Sequence, residues 1–200
     1  MSLKFGEGQD PYCYPVGNLL RNKLRIRNAK TLLEAELTLT SLRAAMLELG
    51  PPNMGLPWLC FIHHTLFQDL YEWAGKLRTV DIYQDDTRYC HFDYLEKEGN
   101  AVIQQLEDED YLCGLSLADI SVRLAHYYAE INMLHPFRNG NGLAQRIFFE
   151  QLTIHAGFAL RWGPIHRDEW LTANAAGAFG DLVPLTRLFT RAVSEPGEQA

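Results

Sequence analysis

A chain of 200 residues, 47% hydrophobic and 22% charged, has the length for one domain with a well-filled core, or one core with a terminal extension. A net charge of -7 and a pI near 5.5 exclude a general nucleic-acid or anionic-membrane surface, yet leave room for a local basic pocket. No apolar run approaches the ~20 residues of a membrane span, and Met1-Ser2-Leu3-Lys4-Phe5-Gly6 lacks the apolar centre of a signal peptide. Cys13, Cys60, Cys90 and Cys113 include no C-x-x-C pair, which reads as reduced, mostly buried thiols of a cytoplasmic protein.

Residues 1–28 carry Gly6, Gly8, Pro11, Pro15 and Gly17 beside Tyr12 and Tyr14, the composition of an irregular arm that packs against something. From about 29 to 49, Leu32, Leu33, Leu37, Leu39, Leu42 and Met46 predict a helix with a broad apolar face, ended by Gly50-Pro51-Pro52. Gly55-Leu56-Pro57 opens a second helix, and Leu59, Ile62, Leu66, Leu70 and Trp73 carry it at helical spacing to Gly75. His63 and His64 are adjacent on that helix and point about 100° apart, so they do not converge on one metal ion and read as structural or surface residues.

Arg78-Thr79-Val80-Asp81-Ile82-Tyr83 alternates and is β-branched, Gln84-Asp85-Asp86 turns, and Thr87-Arg88-Tyr89-Cys90-His91-Phe92 returns, which predicts a hairpin. On it, His91 either lines a pocket or covers the edge. A helix follows from Asp93 to Asp110 with Gly99 a weak point inside it, and its acidic end Glu107-Asp108-Glu109-Asp110 reads as solvated. Ser116 with Asp119 caps a helix from Leu117 to about Leu134. Further helices are predicted from about Leu143 to Gly157, from Asp168, and from Leu182 to Val193, with a frayed tail from Ser194. The fold class is mostly α with one short β-hairpin.

Between two of these helices lies His135-Pro136-Phe137-Arg138-Asn139-Gly140-Asn141-Gly142-Leu143-Ala144-Gln145-Arg146. Pro136 disfavours helical geometry at His135, and Gly140, Asn141 and Gly142 are residue types that accept positive φ. Backbone N–H groups turned inward there, with the dipole of the next helix, form an anion cradle. Arg146 lies one turn inside that helix, and His135 stands at the other mouth. A base, an anion cradle and a guanidinium close together suit transfer of a phosphorus-centred group.

This stretch resembles the Fic (filamentation induced by cAMP) signature, His-Pro-Phe-x-Asp/Glu-Gly-Asn-Gly-Arg-x-x-Arg, and Ile62 to Arg78 resembles the first core helix of the same family. The likeness is good over roughly residues 55–160. It implies a helical bundle at 55–193, an N-terminal arm and helix at 1–54, and a flexible tail at 194–200. It implies a protein adenylyltransferase that moves AMP from ATP to a Tyr, Thr or Ser hydroxyl of a target protein. His135 would be the base, and Gly140, Asn141, Gly142 and Arg146 would hold the phosphates. The hairpin segment Thr87, Arg88, Tyr89, Cys90, His91 and Phe92 would be a flap that docks the target by strand addition, the alternative being an ordinary hairpin. Phe137 reads as the loop's apolar anchor and Arg138 as outward-facing.

The chain departs from the signature twice. Asn139 stands where the family has the acid that binds Mg²⁺, and Leu143 where it has the first arginine. A weakened metal site and attenuated transfer follow, with a binding-only Fic-fold protein and a Doc-like kinase as the alternatives. The inhibitory Ser/Thr-x-x-x-Glu-Gly/Asn helix common in the family has no helical match here, which implies that a small antitoxin-like partner brings the glutamate to Arg146.

Overall fold

The computed structural model describes residues 4–5, 9–84 and 87–197, and every statement below concerns these. The element order is β1 (Lys4–Phe5), α1 (Ala29–Ala44), α2 (Leu56–Phe67), β2 (Ile82–Gln84), β3 (Thr87–Arg88), α3 (Leu95–Asp108), α4 (Leu117–Leu134), α5 (Asn141–His155), β4 (Ala159–Leu160), α6 (Arg167–Ala178), α7 (Val183–Ala192) and β5 (Val193–Ser194). The centre is α4, which packs against α3, α5, α6 and α7, while α2 packs against α1, α3 and α5. Ile120, Leu124, Tyr127, Tyr128, Ile131 and Leu134 bury one side of α4 at the spacing the sequence predicts. Ser116 Oγ accepts the Asp119 N–H at 3.2 Å and fixes where α4 begins.

Several expectations are corrected. α1 ends at Ala44, and Leu33, Leu37, Leu42 and Met46 are exposed, so its apolar face is only partly covered. α2 stops at Phe67 and turns carry the chain to Gly75, whose φ is +79°. Gly99 is a close-packing point: a Cβ there would lie 3.0 Å from Leu56 and 3.1 Å from Leu134 side chains, so α2 and α4 both approach α3 at this residue. The tail is held at its start, because Val193–Ser194 pairs antiparallel with Ala159–Leu160; residues 198–200 lie outside the described ones.

The hairpin is shorter than predicted and has a third strand. β1 from the arm pairs with β2 (Lys4 opposite Tyr83), and β2 pairs with β3 (Tyr83 opposite Arg88), giving the antiparallel order β1-β2-β3. The predicted turn at Asp85 and Asp86 lies outside the described residues. The Tyr89 N–H still donates to the Ile82 carbonyl at 3.4 Å, and the chain leaves the sheet after it: the Cys90 N–H donates to the Met133 carbonyl at 3.0 Å, and Phe92–Tyr94 form a 3₁₀ turn into α3. Cys90, His91 and Phe92 therefore join the flap to α4 and α3 and are not part of its strand.

Candidate active site

α4 ends in a left-handed residue, His135, at φ 45° and ψ 60°. The loop that follows is clasped by one side chain. Asn141 Oδ1 accepts the Phe137 N–H at 2.8 Å, and Asn141 Nδ2 donates to the Phe137 carbonyl at 2.7 Å. Both polar ends of Asn141 are thereby used by the loop itself. Gly140 has φ +80°, and a Cβ on it would lie 2.4 Å from the Phe67 ring, so only glycine fits. Gly142 needs no such freedom, since α5 already begins at Asn141, two residues earlier than predicted. The Gly140 carbonyl accepts the first helical bond, from the Ala144 N–H at 3.2 Å. The N–H groups of Asn141, Gly142 and Leu143 have no intrahelical partner, and no side chain caps them. They form an open anion-binding end.

This end faces a cleft of about 690 Å³, a size suited to a small-molecule ligand. His135, Asn139, Gly140, Asn141, Gly142 and Arg146 all line it, and Gln84, Thr87 and Tyr89 line it from the flap. The far wall is aromatic and apolar, with Trp162, Trp170 and Phe179 prominent. Arg88, Cys90, His91 and Phe92 of the predicted flap do not line it. His91 instead covers the edge, facing Asp81 at 3.6 Å and accepting the Asp93 N–H at 3.3 Å.

His135 is 8% exposed and stacks on the Tyr89 ring at 3.9 Å. Its Nδ1–H donates to the Asn132 carbonyl at 3.2 Å, which leaves Nε2 as the lone-pair nitrogen. Burial pulls its pKa down to about 3, with the Arg78 charge adding to that shift. The ring is thus held neutral, the state a proton acceptor needs.

Several residues that the sequence reading passed over hold this arrangement. Arg78, predicted as a strand residue, is 2% exposed and donates to backbone carbonyls of His135 (2.8 Å), Val80 (2.6 Å), Leu134 (3.3 Å) and Cys90. One guanidinium therefore ties the flap to the loop. Arg138, expected to face outward, is 6% exposed and its Nε donates to Asp10 Oδ2 of the arm at 2.9 Å. Burial rewards that pairing, because an unpaired guanidinium there would be costly. His63 accepts the Gly75 N–H at Nδ1 (2.8 Å), so its Nε2–H donates to the Asn139 carbonyl (2.9 Å), and its ring stacks on Phe137. It is structural, as expected, and a signal was available: with Leu59, Ile62 and Leu66 it falls on the buried face of α2.

Glu36 of α1 accepts from the Tyr71 hydroxyl and, at 3.1 Å, from Asn139 Nδ2. Burial raises the Glu36 carboxyl above its usual range, and the two donors oppose this. Asn139 itself lines the cleft, and its amide oxygen has no hydrogen bond among the described residues. A magnesium ion held mainly by nucleotide phosphates needs one or two protein oxygens. Asn139 fits as a single neutral ligand of this kind; among the described residues no group of three or more His, Cys, Asp or Glu converges to make a closed site.

The profile of the Fic/DOC family matches residues 54–153. Over 99% of its length the chain is 59% identical to proteins of Salmonella typhimurium and of Escherichia coli, each named "Probable protein adenylyltransferase Fic" and each covered to 99%. The crystal structure of BepC protein from Bartonella tribocorum with bound AMPPNP matches the fold with a TM-score of 0.85, at 26% identity, over 92% of this chain and 96% of that one.

Proposed function

This chain belongs to the Fic/DOC family, and on that premise we propose that it is a protein adenylyltransferase, moving AMP from ATP to a Tyr, Thr or Ser hydroxyl of a target protein. One observation carries the assignment to particular atoms: a neutral histidine with its Nε2 open stands in the same cleft as an uncapped helix N-terminus and Arg146. The target hydroxyl attacks the α-phosphorus. Its proton passes to His135 Nε2 as the new O–P bond forms, and the bond to the bridging oxygen of the β-phosphate breaks. Pyrophosphate leaves against the N–H groups of Asn141, Gly142 and Leu143 and the Arg146 guanidinium. Asn139 Oδ1 is the atom that would hold Mg²⁺, whose chemistry is to neutralise phosphate charge.

The flap strand β3 presents its outer edge to the target backbone, with Thr87 and Tyr89 at the cleft mouth. Leu143 gives no charge to the phosphates and is half-buried against the core. A charge-assisted contact is worth about 1.5–3 kcal/mol, so transfer is slowed about ten- to a hundredfold relative to an arginine at that position. This favours a second reading, a Fic-fold protein that binds nucleotide or partner without transfer. Arg146 forms no ion pair among the described residues, and the Glu150 carboxyl only feels its charge, which supports a small antitoxin-like protein supplying a glutamate to it. The four cysteines are free, and no described helix is long and apolar enough to cross a membrane; a cytoplasmic location accords with both.

Intact-mass spectrometry after incubation with Mg-ATP, beside His135→Ala, tests the transfer. An AMP-sized addition absent from the variant is the expected result. A phosphate-sized addition would establish a Doc-like kinase. No addition, with none restored by Leu143→Arg, would establish the binding-only reading.

A further inference from the structure

A polar network meets the loop at Asn139, and its other members, Glu36 and Tyr71, do not line the cleft. Its centre is Glu36, half-buried on α1, whose Oε1 takes two donors, the Tyr71 hydroxyl and Asn139 Nδ2. Tyr71 is 1% exposed and cannot offer that hydroxyl to solvent instead. Two donors converging on one oxygen is the environment of a carboxylate. A carboxylate accepts and does not donate, so the Asn139 amide has to turn its nitrogen to Glu36. Its oxygen then faces the other way, and Asn139 lines the cleft. The loop is braced in the same register by His63, which donates to the Asn139 carbonyl at 2.9 Å.

We infer that Glu36 is the positioning residue of this degenerate loop: it aims the Asn139 amide oxygen at the phosphate-bound cation and lends that oxygen the negative charge its own side chain lacks. A carboxylate hydrogen-bonded to an amide N–H draws electron density toward the amide oxygen, as outer partners do for ligands in metal sites generally. The contact also acts against an acid at position 139. Two carboxylates would meet there, both acceptors and of like sign, with no donor between them. Residues 36 and 139 are matched, and the effect of changing one depends on the other.

Four proteins test this: the native chain, Glu36→Gln, Asn139→Asp, and the two combined. Each is titrated with Mn²⁺ in the presence of AMPPNP, with free Mn²⁺ followed by electron paramagnetic resonance, and each is melted without ligand. In the native loop, Glu36→Gln is expected to weaken Mn²⁺ binding about threefold or more and to lower the melting temperature. In the Asn139→Asp background the same substitution is expected to strengthen Mn²⁺ binding and to raise the melting temperature. Equal effects in the two backgrounds on both readouts overturn the inference. Should the Glu36→Gln proteins not fold, Asn139→Asp is compared with Asn139→Gln. The acid has to lower the melting temperature more than the longer amide does, and the reverse order overturns the pairing. This inference rests on the nucleotide-binding reading, which AMPPNP binding in EDTA tests apart. Absence of AMPPNP binding with an intact melting-temperature cycle sinks that reading and leaves Glu36 as the partner of Asn139.

Discussion

At the residue scale, burial decides protonation at the two histidines beneath the loop. His135 is pulled down to about 3 and His63 to about 4, in each case chiefly by burial. Each is neutral in the fold and takes a proton more readily when unfolded. Between about pH 6.5 and those lower values the unfolded chain binds more protons, so stability falls as pH falls. Each group contributes about 1.4 kcal/mol per pH unit within its window, and nothing above it. Urea unfolding from pH 7 to pH 5 is expected to show this loss, with a slope shallower by about one such increment in His135→Ala. An unchanged slope would mean that the native ring takes up its proton over the same pH range as the unfolded one. The two loop glycines separate in the same way. Gly140→Ala meets the Phe67 ring in a left-handed backbone and is expected to cost about 1–3 kcal/mol or more. A Cβ at Gly142 would meet only the Arg146 guanidinium, at 3.6 Å. Gly142→Ala should therefore leave the melting temperature nearly unchanged while weakening AMPPNP binding by crowding the phosphate site.

At the element scale, the arm and the loop are one construction. Asp10 and Arg138 lie 128 residues apart in the chain and meet as a buried ion pair, 8% and 7% exposed in their side chains. Removing one member leaves the other charged and unpaired. Asp10→Asn is therefore expected to lower unfolding free energy by about 3–5 kcal/mol in urea titration. Replacing both, as Asp10→Leu with Arg138→Met, should recover most of that loss. A single-variant loss below about 1 kcal/mol would show that the arm does not anchor the loop. The flap has the same dependence on long-range contacts. Arg78 spends its donors on carbonyls of the loop and the flap together, so the strand the sequence predicts from Arg78 begins only at Ile82.

At the scale of the whole molecule, the cleft is assembled from parts that no single element owns. α4 brings His135, α5 brings the open N–H groups and Arg146, the β1-β2-β3 sheet brings Thr87 and Tyr89, and α6 closes the far wall. β1 pairs with one side of β2, which leaves β3 at the edge of the sheet, the edge proposed above to dock the target. A partner that supplies a glutamate needs Arg146 reachable from outside, and Arg146 lines the cleft. Affinity capture of the chain from its native host is expected to recover a small acidic partner. Arg146→Ala should weaken its binding about tenfold or more, since a desolvated charge pair is lost. Recovery of no small partner, or binding indifferent to Arg146, would count against a glutamate supplied in trans.

The sequence by itself determined the helices around the site, the Ser116 cap, the clustering of His135, Gly140, Gly142 and Arg146, and the family. These are local quantities: periodicity, capping chemistry and glycine placement act within a few residues of one another. Tertiary structure alone decided that Arg138 turns inward, that Arg78 binds flap to loop, that β1 joins the sheet, and that Glu36 holds Asn139. In each of these the deciding partner is distant in the chain. A buried charge or amide declares its orientation only when the group that satisfies it has been brought alongside by folding.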